Sequence, residues 1–191
     1  MTEAKAGVCG VLLAAGGGSR MGKPKAEVVL GGRTLLERGV DMLTEASCVP
    51  VYAVVGASAV TSSATIVTNP DWESGMASSL RVGLAAATGE AAVVALVDQP
   101  GITAEAVRRL VAARRPGFAV AATFDGEIRT PVLFDRSLWS EVSEAVSGDA
   151  GARRWLRQNS GRVIPVACDD VADPTDLDLP EDLTRWERLC S

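Results

Sequence analysis

Apolar residues run almost without interruption from Val8 to Ala15, from Val49 to Gly56 and from Ala91 to Val97. Continuous runs of this length, unlike alternating ones, suit strands covered on both faces, as parallel strands are. Between them the period changes to a helical one. Leu35, Leu36, Val40 and Leu43 follow the capping box Thr34-Leu-Leu-Glu37, which predicts a helix from Thr34 to Ala46. Leu80, Val82 and Leu84 among small residues predict a second helix from Met76 to Ala87, and Val107, Leu110 and Val111 an amphipathic one from Thr103 to Arg115.

Ala64 to Thr68 suits a short strand and Gly117 to Thr123 a further one. Ile128 to Phe134 also reads as a strand, but Pro131 cannot donate to a ladder, so its expected place is an edge or a crossing ribbon. Leu138 to Val146 and Ala150 to Gln158 read as helices and Val163 to Ala167 as a late strand. Glu181 to Leu189 reads as a closing helix begun by Pro180.

Strands alternating with helices imply an α/β fold, Rossmann-like, with a doubly wound and mostly parallel sheet. A chain of 191 residues with 47% hydrophobic content suffices for one compact domain, 1–191, and is too short for two. Ligands on such sheets bind beyond the carboxyl ends of the strands, where Gly16, Asn69 and Asp98 fall.

The charge balance narrows the function. A formal net charge of -5 argues against a nucleic-acid partner, so any phosphate site is expected to be a local cationic pocket in an acidic protein. Histidine is absent, which removes Ser-His-Asp and Cys-His catalysis and imidazole metal sites. The four cysteines, Cys9, Cys48, Cys168 and Cys190, form no close pair; Cys9 and Cys48 read as core thiols. Chemistry is left to carboxylates, cations and a hard metal. Glu3 before the first apolar run and cations after it disfavour a signal peptide, and Glu90 breaks the longest candidate for a membrane span, so a cytoplasmic protein is expected.

Residues Leu12 to Lys25 read Leu-Leu-Ala-Ala-Gly-Gly-Gly-Ser-Arg-Met-Gly-Lys-Pro-Lys. After Leu13, Ala14 and Ala15, the glycines Gly16, Gly17 and Gly18 let backbone N–H groups line an anion site. Arg20, Lys23 and Lys25 supply the charge a triphosphate requires. The glycines alone equally suit an ordinary turn, since the spacing is neither the dinucleotide fingerprint nor a Walker loop. Arg20 and Lys25 at set distances from the turn make the string specific.

Asp98, in Leu96-Val97-Asp98-Gln99-Pro100, leaves a buried strand where a carboxylate can hold Mg²⁺ against phosphate oxygens, and where it equally starts a turn. Asp176 and Asp178, in Asp-Leu-Asp-Leu-Pro-Glu-Asp-Leu, offer a second carboxylate, or a helix cap at Asp178 or Leu179. The string from Asn69 to Leu80 sets a polar turn at a helix start, with Ser74, Gly75, Ser78 and Ser79 beside free backbone donors. Capping by Ser74 or Ser78 is the plainer alternative there, and Trp72 either shields the site or packs.

Together these strings resemble the MobA/MocA-type nucleotidyltransferases, and most of all the molybdenum cofactor cytidylyltransferases of the MocA type. The likeness runs from Leu12 to Leu183. It rests on Ala14-Ala15-Gly16 with Arg20-Met21-Gly22 and Lys25, on Asn69-Pro-Asp-Trp with Gly75-Met-x-Ser78-Ser79-Leu, on Asp98-Gln99-Pro100, on Gly148-Asp149-x-Gly151-Ala152-Arg153, and on Asp176-x-Asp178-x-Pro180-Glu181-Asp182-Leu183.

The resemblance implies a glycosyltransferase-A-like nucleotidyltransferase fold and Mg²⁺-dependent transfer of a nucleoside monophosphate to the terminal phosphate of molybdopterin, releasing pyrophosphate. It implies that the glycine loop, Asn69, Ser74, Gly75, Ser79, Gln99 and Pro100 bind the nucleotide, that Arg20 and Lys25 contact the triphosphate, and that Asp98 and Asp178 hold the metal. Ala15 and Gln99 resemble the CTP-using branch, with GTP the alternative. A transient contact with a molybdoenzyme also follows from the likeness. Arg129-Thr130 stands where the family commonly has Gly-His, and Leu179 where a threonine usually precedes the proline. The competing readings are transfer to another phosphorylated acceptor and a non-catalytic accessory that carries nucleotide or cofactor.

Overall fold

The computed structural model describes residues 7–56, 58 and 60–189, so Glu3 and Cys190 lie outside the described residues. Strand β1 (Val8–Ala14) leads through the glycine-rich loop to a short ribbon of β2 (Val29–Leu30) and β3 (Arg33–Thr34). Helix α1 (Leu35–Glu45), β4 (Val51–Val55), β5 (Thr65–Thr68), α2 (Met76–Ala86) and β6 (Ala91–Leu96) complete the first half. The second half is α3 (Ala104–Ala112), β7 (Ala119–Phe124), β8 (Glu127–Asp135), α4 (Trp139–Ala145), α5 (Arg153–Gln158), β9 (Val163–Ala167) and α6 (Pro180–Leu189).

Among the described residues the main sheet has seven strands in the order β5-β4-β1-β6-β8-β7-β9. β1 lies between β4 and β6, parallel to both. The chain thus leaves β1 in one direction and later returns to its other side, which opens a crevice at the carboxyl ends of β1 and β6. Side chains alternate across β1, as strand geometry requires. Leu12 and Ala14 enter the core beneath α1, α3 and α6, while Cys9, Val11 and Leu13 enter the one beneath α2, α4 and α5. Burial pushes the Cys9 thiol up to about 11 and that of Cys48 up to about 12, so both stay protonated core groups.

The capping box predicted for α1 is made in both directions. Thr34 Oγ1 accepts from the Glu37 amide at 3.1 Å, and Glu37 Oε2 accepts from the Thr34 amide at 2.8 Å. Thr103 likewise caps α3 by accepting from the Ala106 amide. The helix expected from Ala150 instead starts at Arg153: Gly151 takes a φ of 50° and ends a separate turn over Gly148–Ala150.

The expectation for Ile128 to Phe134 needs correction, because β8 is an interior strand, antiparallel to both β6 and β7. Pro131 is tolerated there because neither ladder uses its nitrogen. Pairing to β6 ends at Val132, and pairing to β7 passes from Val132 opposite Ala121 to Arg129 opposite Ala122. The bulge leaves Thr130 and Pro131 outside the ladder, and such irregularities re-aim side chains. Among the described residues no helix is long and apolar enough to cross a membrane.

Candidate active site

A cavity of 310 Å³ opens at the carboxyl ends of β1 and β6, with Leu13, Ala15, Gly16, Lys25, Ser79 and Asp98 in its walls. The loop that forms one wall is tightly folded. Gly18 has a φ of 58°, and a Cβ there would stand 2.0 Å from the Lys23 carbonyl oxygen; the Met21 amide donates to the Gly18 carbonyl at 2.8 Å. The Trp72 indole packs where side chains on Gly17 or Gly56 would lie, so it both shields the cavity and buttresses the loop.

Lys25 leaves this loop on a short helical turn, Lys25–Glu27, and its Nζ donates to Asp98 Oδ2 at 2.6 Å and to Asp178 Oδ1 at 2.5 Å. Burial opposes the charge on Lys25, but Asp98 and Asp178 outweigh it and hold the ammonium above its ordinary pKa. Lys25 and Asp98 are 15% and 21% exposed and Asp178 is 46% exposed, so Asp178 is the partner that faces solvent. Its segment is pinned by the backbone: the Leu177 amide donates to the Asp98 carbonyl at 2.7 Å. Asp182 caps α6 by accepting from the Asp178 and Leu179 amides, which leaves the Asp178 carboxylate free to turn to Lys25.

Asp176 and Asp178 part in space, Asp178 turning to Lys25 and Asp176 to Gln99. Asp176 faces a second cavity, of 420 Å³, which shares Met76 and Leu96 with the first. There Gln99 Nε2 donates to Asp176 Oδ1 at 2.9 Å and to the Pro174 carbonyl at 3.3 Å, and Thr130 Oγ1 donates to Gln99 Oε1 at 2.6 Å. Desolvation by the surrounding protein, with Asp98 and Asp178 adding repulsion, pushes the Asp176 carboxyl up. Arg129, Arg153 and Arg157 also line this cavity.

The sequence-predicted residues therefore divide. Leu13, Ala15, Gly16, Lys25, Gly75, Ser79 and Asp98 line the first cavity, and Asp178 reaches it through Lys25. Gly17 lies under Trp72, Ala14 is buried in the core, and Arg20 is exposed on the loop. Gln99 belongs to the second cavity, and Pro100 is half-buried next to it. Asn69 and Ser74 line a third surface concavity. Asn69 is buried and spends its amide on Ser78 and Ser79 at 2.8 and 3.0 Å, bracing the start of α2.

Asp149 enters the first cavity from the turn before α5, a position to which the sequence reading assigned no role. The available signal was its place between Gly148 and Gly151, both with positive φ. Gly75, with a φ of 107°, packs so closely that a Cβ there would lie 2.6 Å from Asp149 Oδ1.

Residues 10–163 match the MobA-like NTP transferase domain. The chain belongs to this family. A relative from Paenarthrobacter nicotinovorans named nicotine blue oxidoreductase is 41% identical over 93% of this chain and 95% of its own length. A molybdenum cofactor guanylyltransferase from Rhodobacter capsulatus is 30% identical over 94% and 95%. The crystal structure of Rv0371c from Mycobacterium tuberculosis H37Rv superposes with a TM-score of 0.84 at 26% identity, over 98% of this chain and all of that one. A complex of that protein with manganese superposes at 0.79, with 23% identity over 95% and 98%. The nucleotidyltransferase fold expected from the motifs is thus the observed one, and the chain is a member of a transferase family related to the molybdenum cofactor nucleotidyltransferases.

Proposed function

We propose that the protein is a nucleotidyltransferase domain, acting in the cytoplasm, that moves CMP from CTP to the terminal phosphate of molybdopterin and releases pyrophosphate. The observation that carries the reading is the convergence of Asp98 and Asp178 on one ammonium, at the wall of a cavity closed by the glycine-rich loop. Two carboxylates that accommodate a cation between them are a hard oxygen pair of the kind Mg²⁺ takes, and Mg²⁺ keeps several waters and phosphate oxygens as its remaining ligands. That suits a site where, among the described residues, no group of three metal-ligating side chains exists. Held by Asp98 and Asp178, the ion would neutralise charge on the phosphates during in-line displacement.

The chain's own part is binding and orientation. The loop from Gly16 to Gly18 offers backbone donors, Lys25 and Arg20 offer point charges, and Leu13, Ala15, Gly75 and Ser79 shape the cavity. In the transfer, an acceptor phosphate oxygen forms a bond to the α-phosphorus and the bridging bond to the β-phosphate breaks, so pyrophosphate leaves. The acceptor oxygen is already ionised at neutral pH. No general base is required, in keeping with a chain that has no histidine.

A second reading follows from the relative named nicotine blue oxidoreductase: a dinucleotide reductant in the first cavity, facing an organic acceptor in the second. One panel separates the two. A ligand bound only by the folded state raises its stability by RT ln(1 + [L]/Kd). With Mg²⁺ present, CTP is expected to raise the melting temperature more than GTP, UTP, ATP, NADH or NADPH. A larger shift with GTP moves the base assignment, and a shift confined to the nicotinamide nucleotides removes the transferase reading.

A further inference from the structure

Lys25 holds the place between Asp98 and Asp178 that a divalent ion would need. Its Nζ lies 2.6 Å from Asp98 Oδ2 and 2.5 Å from Asp178 Oδ1, so the ammonium sits on both carboxylates as a small cation would. A divalent ion brought to the same pair meets that ammonium at close range, and the like charges repel in a site whose lysine and Asp98 are mostly shielded from water. Ion and ammonium therefore exclude each other here.

The surrounding contacts decide which of the groups yields. Asp98 and Asp178 stand on braced backbone: the Leu177 amide donates to the Asp98 carbonyl at 2.7 Å, and the Asp178 amide donates to Asp182 Oδ2 at 2.9 Å. The backbone of Lys25 is fixed as well, since its carbonyl accepts from the Val28 amide at 3.1 Å and the next residue, Ala26, is fully buried. What remains free to move is the four-carbon stem of the lysine, which can swing its ammonium without moving the chain. Lys25 and Asp98 both line the first cavity beside Gly16, so the swing is into open space next to the glycine-rich loop.

From this arrangement we infer that Lys25 is a place-holding cation: it occupies the divalent ion's seat in the nucleotide-free protein and yields that seat by turning to the phosphates of an entering nucleotide. The inference rests on the transfer reading only in taking Asp98 and Asp178 as the metal pair, and it adds a coupling between two ligands. A nucleotide that draws the lysine away opens the pair to the ion, and by linkage the ion raises the affinity for the nucleotide by the same factor. Lys25 thus keeps the site from filling with a divalent ion alone and makes metal and nucleotide bind together.

The test is Mn²⁺ binding to the full chain without nucleotide, with free Mn²⁺ read by electron paramagnetic resonance. Lys25→Met is expected to bind Mn²⁺ about tenfold more tightly than wild type, within the range of ordinary coupling between two ligands. Adding Asp98→Asn to that variant should cancel the gain. Lys23→Met removes an exposed cation from the same loop and should stay within about twofold of wild type, because a charge off the pair is screened by solvent. A Lys25→Met chain that binds Mn²⁺ no better than wild type overturns the inference, and so does an equal gain in Lys23→Met, which would make the effect one of net charge.

A second readout needs no variant. Lys5, Lys23 and Lys25 are the lysines of the chain, so ¹⁵N-lysine labelling gives a spectrum simple enough to follow the Lys25 ammonium directly. Its signal should shift as Mg²⁺ is titrated into the nucleotide-free wild type and return when a chelator is added; an unmoved signal overturns the inference. Pyrophosphate release from CTP, measured separately, reports on the transfer reading. Release without the Lys25→Met gain removes the place-holder and leaves the transfer, and the gain without release does the reverse.

Discussion

The two cavities adjoin at Met76 and Leu96 yet are built from opposite materials. The first is lined by Glu73, Asp98 and Asp149 against a single lysine, with a glycine-rich loop for one wall, whereas the second is apolar with a rim of arginines. An acidic protein was expected to reserve local positive charge for its triphosphate site. The structure gathers Arg129, Arg153 and Arg157 in the second cavity and Lys25 alone in the first. A triphosphate entering the acid-lined one would be repelled unless a divalent cation came with it, so the same charge pattern that opposes free nucleotide favours the metal complex.

Substitutions in one cavity should therefore leave the other largely untouched. The largest effect is expected from the carboxylate pair: Asp98→Asn or Asp178→Asn should lower the turnover of pyrophosphate release about 10²- to 10³-fold, the scale seen when one preorganised charge contact to a transition state is lost. Binding of 2-naphthoate, an apolar anion suited to the apolar, arginine-rimmed second cavity, should stay within about twofold. Steady-state kinetics beside calorimetry on the same variants would show whether the division holds.

Lys25→Met should lower turnover less, by about 10- to 100-fold, because it removes one point charge while both carboxylates remain for the metal. Affinity for the nucleotide in the absence of divalent ion should fall as well. If the methionine variant equals the wild type in both respects, Lys25 serves only to neutralise its two acidic neighbours.

Stability should also report on the cavities separately. Gly18→Ala should destabilise the fold by about 1–3 kcal/mol through its positive φ and the close Lys23 carbonyl, and weaken nucleotide binding with it. On the other side, Glu141 on α4 holds Trp155 of α5 and Arg162 beyond it, accepting from Trp155 Nε1 at 2.9 Å and from Arg162 at 2.9 Å. Glu141→Ala leaves the buried indole N–H without its partner and should cost about 1–3 kcal/mol in denaturant unfolding, while weakening 2-naphthoate binding in the second cavity.

The smallest effect is a pH dependence. Hydrogen bonding by Arg162, helped by Trp155, holds the Glu141 carboxyl below its ordinary pKa of 4.5. A carboxylate lowered in the folded state stabilises it at pH values above the unfolded pKa, and that contribution is lost as pH falls through the folded one. Glu141→Gln should thus be slightly less stable than wild type at pH 7, with the difference fading below about pH 4.5. Parallel unfolding curves at pH 7 and pH 3 check the sign.

The first cavity was far more legible in the sequence than the second. Its loop is a local string, and the continuous apolar runs placed Gly16 and Asp98 at the carboxyl ends of buried strands; that these two strands are neighbours depends on pairing between residues about 80 positions apart, which no local pattern carries. Asp178 was legible only as a candidate, since it meets Lys25 across 153 residues and its cap-like setting suits Asp182 equally. The second cavity depends on β8, and there Pro131 misled: a proline demotes a strand only where a ladder needs its nitrogen, and the bulge at Thr130 removes that need. The ribbon of β2 and β3 was missed although Gly31-Gly32 carried its turn signal, both glycines having positive φ. Asn69 shows what a strand-end position leaves unread: its amide nitrogen donates to Ser78 and Ser79 and braces the start of α2, a contact that no local pattern announces.

The central claim is that a nucleotide in the acid-lined cavity is transferred to a molecule in the arginine-rimmed one. Its most direct test is pyrophosphate release by the wild-type chain from CTP and Mg²⁺, with and without molybdopterin. The expected result is release only when both substrates are present, in a one-to-one ratio with nucleotide joined to the acceptor. Equal release without acceptor, or no release under conditions where a reduced nicotinamide nucleotide is oxidised, would contradict it.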